Sequence, residues 1–178
     1  GGAIRTKHKK IHEFFLKAKS YGEKKRHYSQ FIAGHTRLPE IQAGIVNLYF
    51  KSFQTDLQKQ KKIAQYYRRK FHQEKLLQVV RTLESSPDSK EALHLFVAEV
   101  KKRDSLQKYL KEKNIPTLVH YPYPIHLMPA FSFLEKKLGN FPMAEKLSQN
   151  IVSLPFHSFL STSDVDYIIE AIQEFYLD

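Results

Sequence analysis

Apolar residues recur at helical intervals along much of the chain and gather between those intervals into short unbroken runs, a pattern that predicts helices and buried strands of an α/β protein. Gly1-Gly2 continues directly into apolar Ala3-Ile4, so residues 1–6 read as the end of a buried strand, interrupted at its start. Ile11, Phe14, Phe15 and Ala18 then fall on one face of a helix predicted from about Lys7 to Lys19, closed by Tyr21-Gly22 in the manner of a glycine C-cap. A basic, irregular stretch leads to Ala33-Gly34-His35-Thr36-Arg37, after which Pro39 fits the first turn of a helix whose pattern runs to about His72. Ile41, Ile45, Leu48 and Tyr49 give that helix a continuous apolar face. From Lys51 onward the pattern becomes sparse and charged, as expected of a helix leaving one domain for another, and a domain boundary near Phe50 follows.

Beyond that boundary, Glu84-Ser85-Ser86-Pro87-Asp88-Ser89 has the composition of a turn or loop. Leu93 to Val100 is too apolar to be exposed on both faces and reads as a strand. A helix from about Asp104 to Lys113 turns Leu106, Tyr109 and Leu110 inward. Asn114 suits the left-handed residue that closes it, and Ile115-Pro116 opens a strand through Leu118-Val119. Phe141 to Asn150 reads as a short helix, and Ile151 to Leu154 as a strand ended by Pro155. In the last helix Val165, Ile168, Ile169, Ile172 and Tyr176 keep helical spacing, and Ser161 or Ser163 can cap its first turn. The expected organisation is a small α/β domain over residues 51–178, preceded by residues 1–50 as the end of a larger one.

Composition narrows the chemistry. Hydrophobic residues make up 42% and charged residues 26%, ordinary for a soluble globular protein. No apolar stretch approaches the roughly 20 residues that cross a bilayer, and the first residues lack a signal-peptide core, so the cytoplasm is the expected compartment and no membrane partner is expected. The absence of cysteine excludes disulfides, thiolate nucleophiles and cysteine-ligated zinc. A formal charge of +11 invites a nucleic-acid reading. However, Lys7-Lys9-Lys10, Lys24-Lys25-Arg26, Lys59-Lys61-Lys62 and Arg68-Arg69-Lys70 are distributed over separate segments rather than one stripe, which favours solvated helix faces and no nucleic-acid partner.

Two places offer candidate chemistry. The run His120-Tyr121-Pro122-Tyr123-Pro124-Ile125-His126 places ionisable and aromatic groups on a backbone stiffened by prolines, just after a predicted strand, where ligands of open α/β sheets gather. The competing reading is that its tyrosines and Ile125 pack while its histidines are solvated. His120 and His126 have no third ligand at a zinc spacing, and no metal is expected. His35 and Arg37 precede the long helix, whose N-terminus favours an anion. Arg37 can fork onto a phosphate or carboxylate, or can pair with Glu40 or an interface carboxylate. His8 and His12, one turn apart, read as surface residues. His94 reads as a core histidine, and Phe156-His157 stays ambiguous. No Gly-rich phosphate loop, Ser/His/Asp arrangement or carboxylate pair is evident, so these residues alone name no reaction.

Arg37-Leu38-Pro39-Glu40-Ile41-Gln42-Ala43, His94-Leu95-Phe96-Val97, His120 to His126, Phe141-Pro142-Met143-Ala144-Glu145-Lys146-Leu147 and Ser153-Leu154-Pro155-Phe156-His157 occur in an order that resembles the C-terminal part of the DegT/DnrJ/EryC1/StrS nucleotide-sugar aminotransferases. The resemblance implies the C-terminal portion of a fold-type I transferase dependent on pyridoxal 5'-phosphate: the end of the large cofactor-binding domain, a long bridging helix and a small α/β domain. It implies a homodimer with shared active sites that moves an amino group, commonly from glutamate, to a nucleotide-linked keto-sugar in surface polysaccharide or amino-sugar biosynthesis. The family's Schiff-base lysine and the aspartate that pairs with the pyridine nitrogen have no counterpart in this chain, so no catalytic residue is assigned within it. The segment matching His35-Thr36-Arg37 would reach the cofactor phosphate in the partner's site, while His120, Tyr121 and His126 would line the sugar-nucleotide cleft. The family usually has asparagine at the position of His35, preceded by a glycine-aromatic pair that is Ala33-Gly34 here. Two alternatives accompany this reading: a sugar dehydratase of the same family that uses pyridoxamine phosphate and carries histidine in place of the lysine, and a noncatalytic truncated binding module.

Overall fold

Helical periodicity translates into five α-helices among the described residues, which run 2–83, 89 and 91–177 of this computed structural model. They are α1 (Lys9–Ala18), α2 (Glu40–Gln73), α3 (Arg103–Glu112), α4 (Pro142–Asn150) and α5 (Thr162–Leu177), and the strands are β1 (Glu23–Lys25), β2 (Tyr28–Ser29), β3 (Val80–Thr82), β4 (Phe96–Val100) and β5 (Ile151–Leu154). The chain divides into two compact units, residues 1–53 and 54–178. None of the described helices is long and apolar enough to cross a membrane.

In the first unit, α1 ends where Tyr21 and Gly22 both take positive φ and the Gly22 N–H donates to the Lys17 carbonyl at 2.9 Å. Only glycine fits at position 22, since a Cβ there would sit 2.2 Å from the Phe31 carbonyl oxygen. The stretch that follows is not irregular: β1 and β2 form a small antiparallel hairpin, turned through His27 at φ +64°. Its strands are two and three residues long and mostly exposed, so no apolar alternation announced them. Residues 2–6, expected to be strand, are largely exposed and carry no ladder, because a strand forms only against a hydrogen-bonding neighbour. Pro39 directly precedes α2, and Ile41, Ile45, Leu48 and Tyr49 of that helix are exposed.

The second unit is built on an antiparallel sheet in the order β3-β4-β5. Val80 faces Val100 across one pair, and Phe96 faces Leu154 across the other. Phe96, Ala98 and Val100 alternate inward along β4, whereas all four residues of β5 are buried. The later turns of α2 bring Ile63, Tyr67 and Phe71 to the core at four-residue spacing, α3 brings Leu106 and Leu110, and α5 brings Val165, Ile168, Ile169 and Ile172. Each such aliphatic or aromatic side chain, once sealed from water, contributes about 1.5–3 kcal/mol. Tyr67 is fully buried, its ring stacking on Phe96 at 4.6 Å and its hydroxyl donating to the Pro155 carbonyl at 3.0 Å. Ser161 and Asp164 cap α5 reciprocally: the Asp164 N–H donates to Ser161 Oγ at 3.1 Å and the Ser161 N–H to Asp164 Oδ2 at 2.9 Å. The Ser161 hydroxyl, donating to Asp164 Oδ2 at 2.6 Å, and then the Ser161 N–H hold the Asp164 carboxyl below its usual range.

Asn114 closes α3 at φ +59° as expected. Three details depart from expectation. β4 begins at Phe96 rather than Leu93, because Leu93 takes a positive φ that no ladder tolerates, and His94 is consequently exposed rather than a core histidine. The stretch from Ile115 forms one isolated bridge, Leu118 with Ser153, instead of a strand, since Pro116 has no N–H to extend the ladder. The pairing of β3 with β4 was not anticipated at all. Except for Ser89, the predicted loop 84–89 lies outside the described residues.

Candidate functional site

Proline geometry and two anchored histidines define the segment from His120 to His126 in the second unit. His120 is half-buried, and its Nδ1 lies 2.9 Å from Ser153 Oγ on the neighbouring β5. Ser153 is buried, and its backbone pairs with Val97 on one side and Leu118 on the other. His126 is 8% exposed and its Nε2 lies 2.9 Å from Glu145 Oε1 of α4, with the Phe141 ring packed edge-on at 4.8 Å. Between these anchors Tyr121, Tyr123 and Ile125 are exposed.

The two ends of the segment face different cavities. Tyr121, Tyr123, Ile125 and His126 line one of about 490 Å³, closed by Leu134, Phe141 and Leu147. His120 lines another of about 840 Å³, with Lys108, Lys111, Ser153, Phe156 and His157. Tyr121 and His126 thus share one cavity while His120 lines the other, its ring edge-on to that of Tyr121 at 5.8 Å. The second cavity combines an apolar floor with two lysines and two histidines, a chemistry suited to an anion attached to an organic body. Phe156-His157, ambiguous in the sequence, belongs to its wall.

Glu145, which the sequence reading did not single out, is a buried carboxylate with several donors. It accepts from the Gly139 N–H at 2.9 Å on each oxygen, from the Phe141 N–H at 3.1 Å and from His126. Burial pushes its pKa up, but those bonds outweigh burial and hold the carboxyl below its usual range. The available signal was a carboxylate in phase with Ser148 on the inner face of α4, where an apolar residue is the norm.

In the first unit, Arg37 donates through Nε and Nη2 to Ser20 Oγ, at 2.9 and 2.8 Å, not to Glu40. Ser20 is buried and was also missed. His35 stacks on Tyr21 at 5.2 Å, and its backbone bridges to Ser20. Arg37, His12, Lys19 and Thr36 line a cavity of about 710 Å³ in this unit, which does not include His35. The first intrahelical bond of α2 runs from the Ala43 N–H to the Pro39 carbonyl, leaving the preceding N–H groups at the helix start without helical acceptors. Among the described residues no group of three or more His, Asp or Glu side chains could hold a metal ion.

The chain is 33% identical over 175 residues to the dTDP-3-amino-3,6-dideoxy-alpha-D-galactopyranose transaminase of Aneurinibacillus thermoaerophilus, covering 98% of this chain and 47% of that protein. It is 31% identical over 173 residues to the erythromycin biosynthesis sensory transduction protein EryC1 of Saccharopolyspora erythraea, covering 97% of this chain and 46% of that one. Among solved structures, S. venezuelae DesV superposes with a TM-score of 0.88 at 25% identity, over 96% of this chain and 45% of that one. The chain thus spans about half the length of the curated relatives it matches. Since the family model for DegT/DnrJ/EryC1/StrS aminotransferases matches residues 1–173, both units included, the chain belongs to that family.

Proposed function

We propose that this chain forms the C-terminal part of a nucleotide-sugar aminotransferase that transfers an amino group, from a donor such as glutamate, to a keto-sugar carried on a nucleoside diphosphate. The observation that carries this reading is the family match across both units, joined to relatives that are themselves nucleotide-sugar transaminases. Residues 1–50 would then complete a large cofactor domain, residues 51–178 would form the small domain, and the protein would act as a cytoplasmic homodimer.

The start of α2 fits the phosphate of pyridoxal 5'-phosphate. Unpaired N–H groups lie at a helix N-terminus, and Arg37 has its Nε and Nη2 fixed on Ser20 while Nη1 remains available. When bound, that cofactor supplies the carbonyl that carries the amino group and a ring that delocalises negative charge. Arg37 would hold the phosphate, with His35 beside it, braced on Tyr21. In the second unit Ser153 fixes the ring of His120 at the lysine-bearing cavity, where it can hydrogen-bond an anionic group of the sugar nucleotide. Tyr121 and His126 would contact the substrate at the neighbouring apolar cavity.

The test uses the native protein purified from its source cells through a peptide of this chain. Expected are an intact mass well above 20.9 kDa, and transfer of labelled nitrogen from glutamate to a dTDP-keto-sugar. Loss of water from the sugar without nitrogen transfer would instead select the dehydratase, and a mass equal to this chain with neither reaction would select the binding module.

A further inference from the structure

The carboxylate of Glu145 receives three N–H donors that belong to one stretch of chain: His126 at its beginning and Gly139 and Phe141 at its end. An ionised carboxylate only accepts hydrogen bonds, so His126 must present a proton on Nε2. In the neutral ring Nδ1 is then an acceptor. That nitrogen has no protein partner among the described residues and is not sealed from solvent, while the ring borders the cavity of about 490 Å³ whose other walls are chiefly aliphatic and aromatic. At the point it faces, Nδ1 as an acceptor selects for a ligand hydroxyl or N–H and against a phosphate oxygen, because two acceptors facing each other share no proton; the Tyr121 and Tyr123 hydroxyls that also line the cavity can donate or accept and make no such choice.

We propose that Glu145 is a positioning residue that locks His126 as the Nε2–H tautomer, so that Nδ1 accepts a hydrogen bond from a donor on the bound ligand. On the reading given under Proposed function, that donor is a hydroxyl of the sugar rather than any part of the diphosphate. The sugar half of the inference rests on that reading; the tautomer half does not.

Two measurements separate the halves. Ring-nitrogen chemical shifts of His126 in the native protein, taken at about pH 8.5, two units above the ordinary histidine value, should show a protonated Nε2 and a bare Nδ1. A proton on Nδ1 overturns the lock, and because no substitution is involved, misfolding cannot obscure the result. For the ligand, Glu145→Gln can keep an amide oxygen at the place of Oε1, where His126, Gly139 and Phe141 all donate, so the releasing substitution is Glu145→Leu, which leaves His126 Nε2 without that acceptor. That variant's affinity for dTDP-glucose, measured by titration calorimetry, should fall about tenfold, the worth of one hydrogen bond to a buried group, while affinity for dTDP alone stays within twofold. Equal losses for both ligands, or no loss for either, overturn the sugar contact. Absence of dTDP-glucose binding in the unsubstituted protein would defeat the nucleotide-sugar reading while leaving the tautomer result standing.

Discussion

Tyr67 offers the sharpest test of how the second unit holds its cavity wall. Its hydroxyl bonds the carbonyl of Pro155, the residue that ends β5 and leads into Phe156-His157, and its ring stacks on Phe96 and Phe71. Tyr67→Phe keeps both stacking contacts and removes the hydroxyl alone. The side chain is fully buried, so no solvent follows the hydroxyl out, and the Pro155 carbonyl is left against a ring edge; the expected cost is about 1–2 kcal/mol. Tyr67→Ala deletes the ring as well and leaves a cavity, for a total of about 3–5 kcal/mol. In a protein of this size each kcal/mol lowers the melting temperature by roughly 2–4 °C. Urea unfolding should show both midpoints falling in that ratio with unchanged slope. A Phe variant as stable as the parent would refute the claim that this bond ties α2 to the end of β5. A Phe variant as damaged as the Ala variant would refute the partition between hydroxyl and ring.

Three further outcomes concern the tyrosines, Gly22 and Arg37. Burial raises the Tyr67 phenol well above its ordinary value of about 10 and raises Tyr176 to about 12. The folded state keeps these protons while the unfolded chain loses them, so their stabilising contribution is intact below pH 10 and declines as pH rises beyond it; a stability-versus-pH series should show a shallower alkaline decline in Tyr67→Phe, and an identical slope would contradict the burial argument. Gly22→Ala forces a Cβ to 2.2 Å from the Phe31 carbonyl at φ +70°, adding at least the roughly 1–2 kcal/mol of a strained left-handed residue; hydrogen exchange over residues 20–31 should accelerate, and unchanged protection would count against that geometry. On the proposed reading, Arg37→Ala should weaken retention of pyridoxal phosphate by the full-length protein more than it lowers the melting temperature, and the reverse order would sink the phosphate assignment.

Where one residue type admits one reading, the sequence was informative. Pro39, Gly22, Asn114 and Pro155 each marked a boundary, because a ring-locked φ or a left-handed turn leaves little choice. The apolar periodicity of α5 and the inward face of α3 were legible for the same reason. Short elements were not: β1 and β2 carry mostly exposed polar residues, and β3 is only three residues long. β1 and β2 owe their strand state to each other across a tight turn, and β3 owes its to β4, with Val80 opposite Val100; such pairings are not encoded in apolar periodicity. The candidate site divides likewise. The proline spacing of residues 120–126 advertised a presented loop, but Ser153 and Glu145 look like ordinary residues of a strand and a helix until the fold brings them, 33 and 19 positions away, to the two histidines.

The loop between those histidines has an architecture with an evolutionary consequence. His120 is fastened to the sheet and His126 to α4, so the fold specifies the ends of the span, while Tyr121, Tyr123 and Ile125 between them stand 61–72% exposed. Substitutions at these three positions touch mainly exposed area and therefore cost the fold little. The span is a frame with replaceable lettering: on the proposed reading, ligand preference can drift through its alternate positions by single substitutions at little cost to stability, while the two posts hold its length and path constant.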